Sequence, residues 1–476
     1  MSETNLLVGP FNRVEGDLEI RLDVAEGAVR AAYINSPLFR GFERIMLGKG
    51  PMDALTITPR ICGICSISQS MAAALALAEA AGADPAPEGA KVAALLHAVE
   101  NVSDHLTHFN LFFMPDFARA EYAGRPWHSR AVARFTAMRG SALIRATEAR
   151  AKLLHIVGLL GGKWPHTLAI QPGGVTRTPS MRDKIRMQAD LRAFRIYLED
   201  VVFGAPLEDF AALETVAALE AWTTGDAGLF LEIAADLDLA KMGKGAARYL
   251  SFGAYPENGN LAFAPGQWSG GTLSPLDLTG LREDVSHAWM LGEAAHPRAG
   301  QTLPDEMMRE AAYSWCKAPR LDGQSFETGA FARQVVDGHP LALALTQERG
   351  VRARVVGRLL ELARTQMFME TLLASVRPEE AFMADVNLPK EGEGAGLCEA
   401  ARGALGHWIR IEGGVVAGYQ IIAPTTWNFS PRDAQGTPGP VEAALEGALV
   451  RAGEEEPLSV QHIVRSFDPC MVCTVH

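Results

Sequence analysis

Four of the six cysteines stand in two Cys-x-x-Cys pairs, Cys62-Gly63-Ile64-Cys65 and Cys470-Met471-Val472-Cys473, at opposite ends of the chain. Thiolates three residues apart can converge on one metal, and two such pairs make an S4 donor set for a soft ion. Three plainer readings compete on spacing alone. A redox dithiol normally opens a helix after a strand in a small domain. A structural zinc comes first by spacing, yet zinc knuckles usually close a short loop, and these pairs would join the two ends of the polypeptide. Unrelated core thiols are the third reading, and burial is the default expectation for the isolated Cys316 and Cys398. So few cysteines in 476 residues exclude a disulfide scaffold.

The flanks narrow the choice. Arg40-Gly41-Phe42-Glu43 is followed after sixteen residues by Arg60-Ile61-Cys62-Gly63-Ile64-Cys65, and Asp468-Pro469 precedes Cys470, with Thr474-Val475-His476 after Cys473. These stretches resemble the two signature motifs of the large subunit of nickel–iron hydrogenases. Further resemblance spans most of the chain: Arg13-Val14-Glu15-Gly16, Gly161-Gly162-Lys163-Trp164-Pro165-His166, Ser314-Trp315-Cys316-Lys317-Ala318-Pro319-Arg320, Arg402-Gly403-Ala404-Leu405-Gly406-His407 and Pro424-Thr425-Thr426-Trp427-Asn428.

The resemblance implies a role for each matched residue. Cys62 and Cys470 would be terminal nickel ligands, and Cys65 and Cys473 would bridge nickel to an iron carrying CO and cyanide. Soft thiolates suit such metals and can take a proton when H2 splits. Arg402 would stand over the metals, always charged, oriented by the carboxylates of Asp116 and Asp468. Pro424 and Thr425 would line the iron-ligand pocket. Glu15 would relay protons, its pKa lifted by burial. Glu43, His476 and the carbonyl of Leu405 would hold a separate hard cation, Mg²⁺ or Fe²⁺. The family usually carries Pro before the arginine and His after the Glu15-Gly16 pair, where this chain has Ala401 and Asp17. His97, His105 and His108 read as packed or hydrogen-bonded helix residues, while His166 and His407 stand inside family motifs as outer-shell groups.

Period-two alternation broken by glycine predicts hairpins over Asp17–Asn35 and His407–Ile422. Helical spacing dominates Ser68–Ala81, Lys91–Met114, His128–Gly158, Met181–Val202, Val351–Ala374 and Val441–Ala452. The Gly/Pro-rich stretches Gly253–Gly271 and Lys390–Gly396 read as surface loops. The expected fold is mainly α (α+β), one large-subunit domain over 1–476. A central bundle of long helices would carry small β hairpins at its periphery and the metal site at its centre. The chain is 48% hydrophobic, which excludes a disordered chain, and its net charge of −12 argues against nucleic-acid or anionic-membrane partners. No apolar stretch is long enough to span a bilayer. No charged n-region leads into a long apolar segment, so a cytoplasmic chain is expected, although a subunit can be exported with a partner that carries the signal.

Two isolated cysteines cannot build an iron–sulfur relay, so electrons must leave through another subunit. The resemblance names it: a small subunit carrying Fe–S clusters, in an obligate heterodimer or a dimer of heterodimers. Within the family, Ile64 and Phe112 are the bulky pair associated with hydrogen sensors, where Val and Leu are usual. Each narrows a gas route already packed close to crystal density. The sequence also ends at His476 without the tail that most large subunits carry before maturation. Together these favour a regulatory H2 sensor that signals to a histidine kinase. The alternatives are an uptake hydrogenase in mature form and, from another class, a scaffold with structural zinc.

Overall fold

The computed structural model describes residues 4–257 and 260–476. Five long helices, α1 (Ser66–Ala81), α2 (Pro87–Thr107), α3 (Ser141–Gly161), α4 (Met181–Tyr197) and α5 (Val351–Ser375), make the bundle, and α6 (Leu458–Phe467) and α7 (Met471–Thr474) close the chain. An N-terminal sheet of β1 (Thr4–Val8), β2 (Glu19–Ala25) and β3 (Ala28–Asn35) pairs Leu6 with Leu22 and Ile20 with Ile34. A second antiparallel sheet runs β4 (Gly392–Ala400), β5 (Gly403–Glu412) and β6 (Val415–Ile422).

The second sheet is central, contrary to the expected peripheral hairpins. Strand β5 is buried over nearly its whole length, and β4 lies directly on α1. Close approach explains why β4 reads as a loop in sequence. A Cβ on Gly396 would stand 1.8 Å from the Ala72 carbonyl oxygen, and one on Gly394 2.0 Å from that of Ala76. Glycines two apart on a strand face meet alanines four apart on a helix, so small residues on both sides let the backbones touch. The stretch Gly253–Gly271 likewise carries strands Ala254–Glu257, Asn260–Phe263 and Gly266–Ser269.

Helices end where backbone chemistry stops them. The expected Lys91–Met114 helix is regular only to Thr107, then widens into a π turn over His108–Phe113 and tightens to Ala118. Pro115 cannot donate a backbone bond and crowds the carbonyl four residues back. The expected His128–Gly158 helix breaks into His128–Phe135 and α3, because the chain folds so tightly that a Cβ on Gly140 would meet the Arg134 carbonyl at 2.3 Å. Met181–Val202 ends its α-helical part at Tyr197 and finishes in a π turn. Val441–Ala452 shrinks to Pro440–Leu445, stopped by the left-handed Gly447.

Candidate metal centre

Cys65 is the residue that opens α1, and Cys470 opens α7, so each Cys-x-x-Cys pair sits on a turn entering a helix. None of the four is in a disulfide, and their Sγ atoms converge: Cys62 to Cys470 at 3.5 Å, Cys65 to Cys473 at 3.2 Å, Cys470 to Cys473 at 3.1 Å. All four are buried. The other three thiols donate toward Cys62 and hold it well below the ordinary thiol range, while Cys473 is pushed well above it. Four soft donors closed off from water fit a thiophilic metal centre by their chemistry.

Several groups set this geometry. Arg40 Nη2 donates to the Ile61 carbonyl at 2.6 Å and also to that of Val472, so one guanidinium ties the residue before Cys62 to the residue before Cys473. The backbone of Glu15 grips Cys470 from both sides: its N–H donates to Pro469 and its carbonyl accepts the Met471 N–H at 2.7 Å. Gly16 must be small here, since a Cβ would lie 3.2 Å from Met471 and Val472. The first turn of α1 is capped from α2: Glu100 accepts the N–H groups of Ile67 (2.8 Å) and Ser68 (2.9 Å). Trp164 donates to the same carboxylate, the His166 N–H donates to Ser66, and His166 Nδ1 lies 2.8 Å from the Pro59 carbonyl. The Trp164-Pro165-His166 motif thus braces the first cysteine turn. Burial raises Glu100 to about 7 despite these bonds.

Arg402 is buried beside the thiols. Its Nη2 donates to Asp468 Oδ1 at 3.0 Å, its Nε to the Asp468 carbonyl at 2.9 Å, and its Nη1 to Asp104 Oδ2. Burial would weaken the guanidinium, but Asp104, Asp468, Cys470 and Cys62 outweigh it and keep the charge. Asp468 is thus bonded to Arg402, and Asp116, expected beside it, is bonded elsewhere. Asp104, unremarked in the sequence, takes the place assigned to Asp116, and burial lifts it to about 7. Thr425 Oγ1 accepts the Cys470 N–H at 3.1 Å, which leaves its own O–H free to donate, and Pro424 opens the short helix that holds it. Glu15 is half-buried, and burial together with Cys62 raises its pKa.

Asp116 instead anchors a cationic hub. Arg465 donates to it at 2.8 Å and Arg119 at 3.2 Å, Arg13 also bonds it, and His462 Nδ1 lies at 3.2 Å. Burial opposes its charge, but His462, Arg465 and Arg13 prevail and hold the carboxyl well below the usual range. Asp116→Asn leaves these cations uncompensated and is expected to cost about 3–5 kcal/mol at pH 7. The lowered pKa means this contribution is complete above the ordinary carboxylate value and fades as the pH falls below it. Denaturation of both forms from pH 7 into strong acid therefore finds the gap closing.

Glu43 and His476 meet, with His476 Nε2 3.3 Å from Glu43 Oε1. Lys317 stands 3.8 Å from Glu43 Oε2, and Thr302 donates to the same carboxylate. Burial pushes Glu43 up, but Lys317, His476 and Thr302 hold it at about 2. A cavity of about 10 Å³ between them has room for one small ion. Leu405 does not line it. That residue pairs with Cys398 in the sheet, while Ile421 lines the cavity and donates its N–H to Glu43 Oε1 at 2.7 Å. Ile64 is half-buried between the first two cysteines, its N–H 3.3 Å from Cys62 Sγ. Phe112 is half-buried on the π turn, its carbonyl bonded to Arg13 at 3.0 Å. The helix histidines find partners: His105 faces Glu361, and His108 the Arg465 carbonyl.

Comparison with known proteins agrees with this donor set. The family model described as nickel-dependent hydrogenase matches residues 40–125 and 137–476. The chain is 28% identical to the periplasmic NiFeSe hydrogenase large subunit of Desulfomicrobium baculatum, covering 100% of this chain and 95% of that one. It is 25% identical to the hydrogenase-2 large chain of Escherichia coli K12 (99% and 97% covered), and 26% to an uptake hydrogenase large subunit of Rhodobacter capsulatus (99% and 95%). The Ni-Fe-Se hydrogenase from D. vulgaris Hildenborough in its reduced state superposes with a TM-score of 0.85 at 28% identity, over 100% of both chains. These names lend the sensor reading nothing, and they displace the zinc scaffold. The chain belongs to the nickel-dependent hydrogenases, as a large subunit of the kind that implies a nickel–iron centre.

Proposed function

We propose that this chain is the H2-oxidising subunit of an uptake-type hydrogenase, converting H2 to two protons and two electrons. The observation that carries this reading is Arg402, held by Asp104 and Asp468 beside four converging thiols with Glu15 at their edge. Cys62, Cys65, Cys470 and Cys473 would hold nickel and iron, with CO and cyanide on the iron. The bound metals supply the Lewis acidity and the electron-accepting capacity. The protein does the rest: Arg402 directs a fixed positive charge at the site, Thr425 would offer its hydroxyl to a cyanide on the iron, and Glu15 would take the departing proton. Glu43 and His476 would hold Mg²⁺ or Fe²⁺ and tie the last turn to the core. Cys316 and Cys398 are buried and far apart in sequence, so the electrons pass to a small subunit with Fe–S clusters. Purification with that partner tests the reading. Nickel, infrared bands of CO and cyanide, and H2-dependent dye reduction are expected; zinc without those bands refutes it.

A second reading, the cytoplasmic H2 sensor signalling to a histidine kinase, is favoured by Ile64 and Phe112. Deleting this chain in its host separates the two: loss of H2-supported growth marks uptake, and loss of H2-induced hydrogenase expression marks sensing. The double variant Ile64→Val with Phe112→Leu widens both positions. It is expected to let O2 inactivate the enzyme several-fold faster under a fixed partial pressure, since even one methylene is felt in a packed passage.

A further inference from the structure

Arg333 touches neither the thiols nor Arg402's guanidinium, yet it holds the chain segment from which Arg402 projects. It is fully buried on the helix Ala330–Val336. Its Nε and Nη2 donate to the two oxygens of Glu361 at 3.0 and 2.7 Å, and its Nη1 to Glu399. The same fork donates to the Ala400 carbonyl at 2.8 Å and the Ala401 carbonyl at 3.1 Å, the two residues immediately before Arg402. Glu361 also faces His105 Nε2 at 3.1 Å, and His105 adjoins Asp104, the carboxylate that bonds Arg402. One ion network therefore holds both anchors of Arg402: its own backbone and the helix that carries its partner.

An arginine with two carboxylates is an expensive way to fill a core, since a well-packed apolar group often does as well. What apolar packing cannot do is fix a peptide plane. The planar fork reaches two successive carbonyls at once, which a lysine's point charge cannot match. We propose that Arg333 is a positioning residue for H2 cleavage: its bonds to Ala400 and Ala401 set where the Arg402 guanidinium stands over the four thiols. This rests on the reading of Arg402 as the charge acting at the metals.

The test uses the intact heterodimer with R333K, R402K and the pair. Nickel content and thermal midpoint are read first. If R333K does not load nickel, R333M/E361Q/E399Q, which strands no buried charge, is scored in its place. With nickel loaded, R333K is expected to keep the KM for H2, lose roughly 10- to 100-fold in kcat, and shift the CO and cyanide bands. In the R402K background it is expected to add no further loss, because residues acting as a unit are not additive. Wild-type kcat in loaded R333K, or a full additional loss over R402K, overturns the proposal while leaving the Arg402 reading standing. Nickel loss in both Arg333 variants makes it a folding residue and also overturns it. Wild-type kcat in R402K overturns the Arg402 reading, and the proposal with it.

Discussion

Serine at position 473 is expected to empty the centre: nickel at background, no CO or cyanide bands, and activity reduced at least about a thousandfold, well past the 10- to 100-fold typical of losing an outer-shell partner. Cys473 Sγ lies 3.2 Å from Cys65 across the two pairs and 3.1 Å from Cys470 within its own, so it sits inside the thiol cluster, where the family resemblance makes it a bridge between the metals. A hydroxyl of similar reach is a harder donor, carries a far higher pKa and gives no thiolate to bridge two soft metals. The fold should survive, because the turn is held by the backbone of Glu15 and by Arg40, neither of which touches the Cys473 side chain. Metal analysis with infrared spectra on the folded variant reads the outcome directly, and bands of wild-type intensity would refute the bridging role.

What sequence reasoning reached, and what it missed, follows from the kind of constraint involved. The cysteine pairs were legible because a donor set leaves its residue types and short spacing in the chain, whereas Glu43 and His476, at opposite ends of it, were legible only through matched motifs. Arg402 with Asp468 was legible only through matched motifs. Asp104 was not, because both it and Asp116 are buried and no local rule says which of two carboxylates twelve residues apart meets Arg402 and which meets Arg13 and Arg465. A signal was present all the same. Asn101, Asp104, His105 and His108 form a polar stripe at helical spacing on an apolar helix, and all four are buried. Such a stripe must face polar partners, and it does so in Tyr255, Arg402, Glu361 and the Arg465 carbonyl. Leu405 failed for a different reason. Strands β5 and β6 are neighbours, and which of them borders Glu43 depends on sheet register, which pairs Gly406 with Ile422 and has no trace in local composition. Strand β4 was hidden because its glycines serve an approach to α1 that only the folded chain contains.

Replacing Glu15 with Gln is expected to separate metal loading from proton exit. Gln has nearly the same shape, and the bonds that pin Cys470 come from the residue-15 backbone, so nickel and the infrared bands should remain at wild-type levels. What disappears is the group that takes a proton. Positioned acid–base groups contribute about 10²- to 10⁴-fold, and H2 oxidation should fall by that range. Exchange read as HD formed from H2 in D2O should fall with it, because each exchange needs a proton to cross between the thiols and solvent. Burial and the neighbouring Cys62 raise the Glu15 pKa, and Arg402 and Arg40 pull against that rise. In the oxidation direction the carboxylate must be ionised to accept, so wild-type activity should decline as the pH falls through this raised value, and the Gln variant should lack that limb. Asp at the same position keeps the acid but retracts it by one methylene. It should recover part of the rate and restore the acid limb, whereas equal rates for Asp and Gln would place the proton route elsewhere.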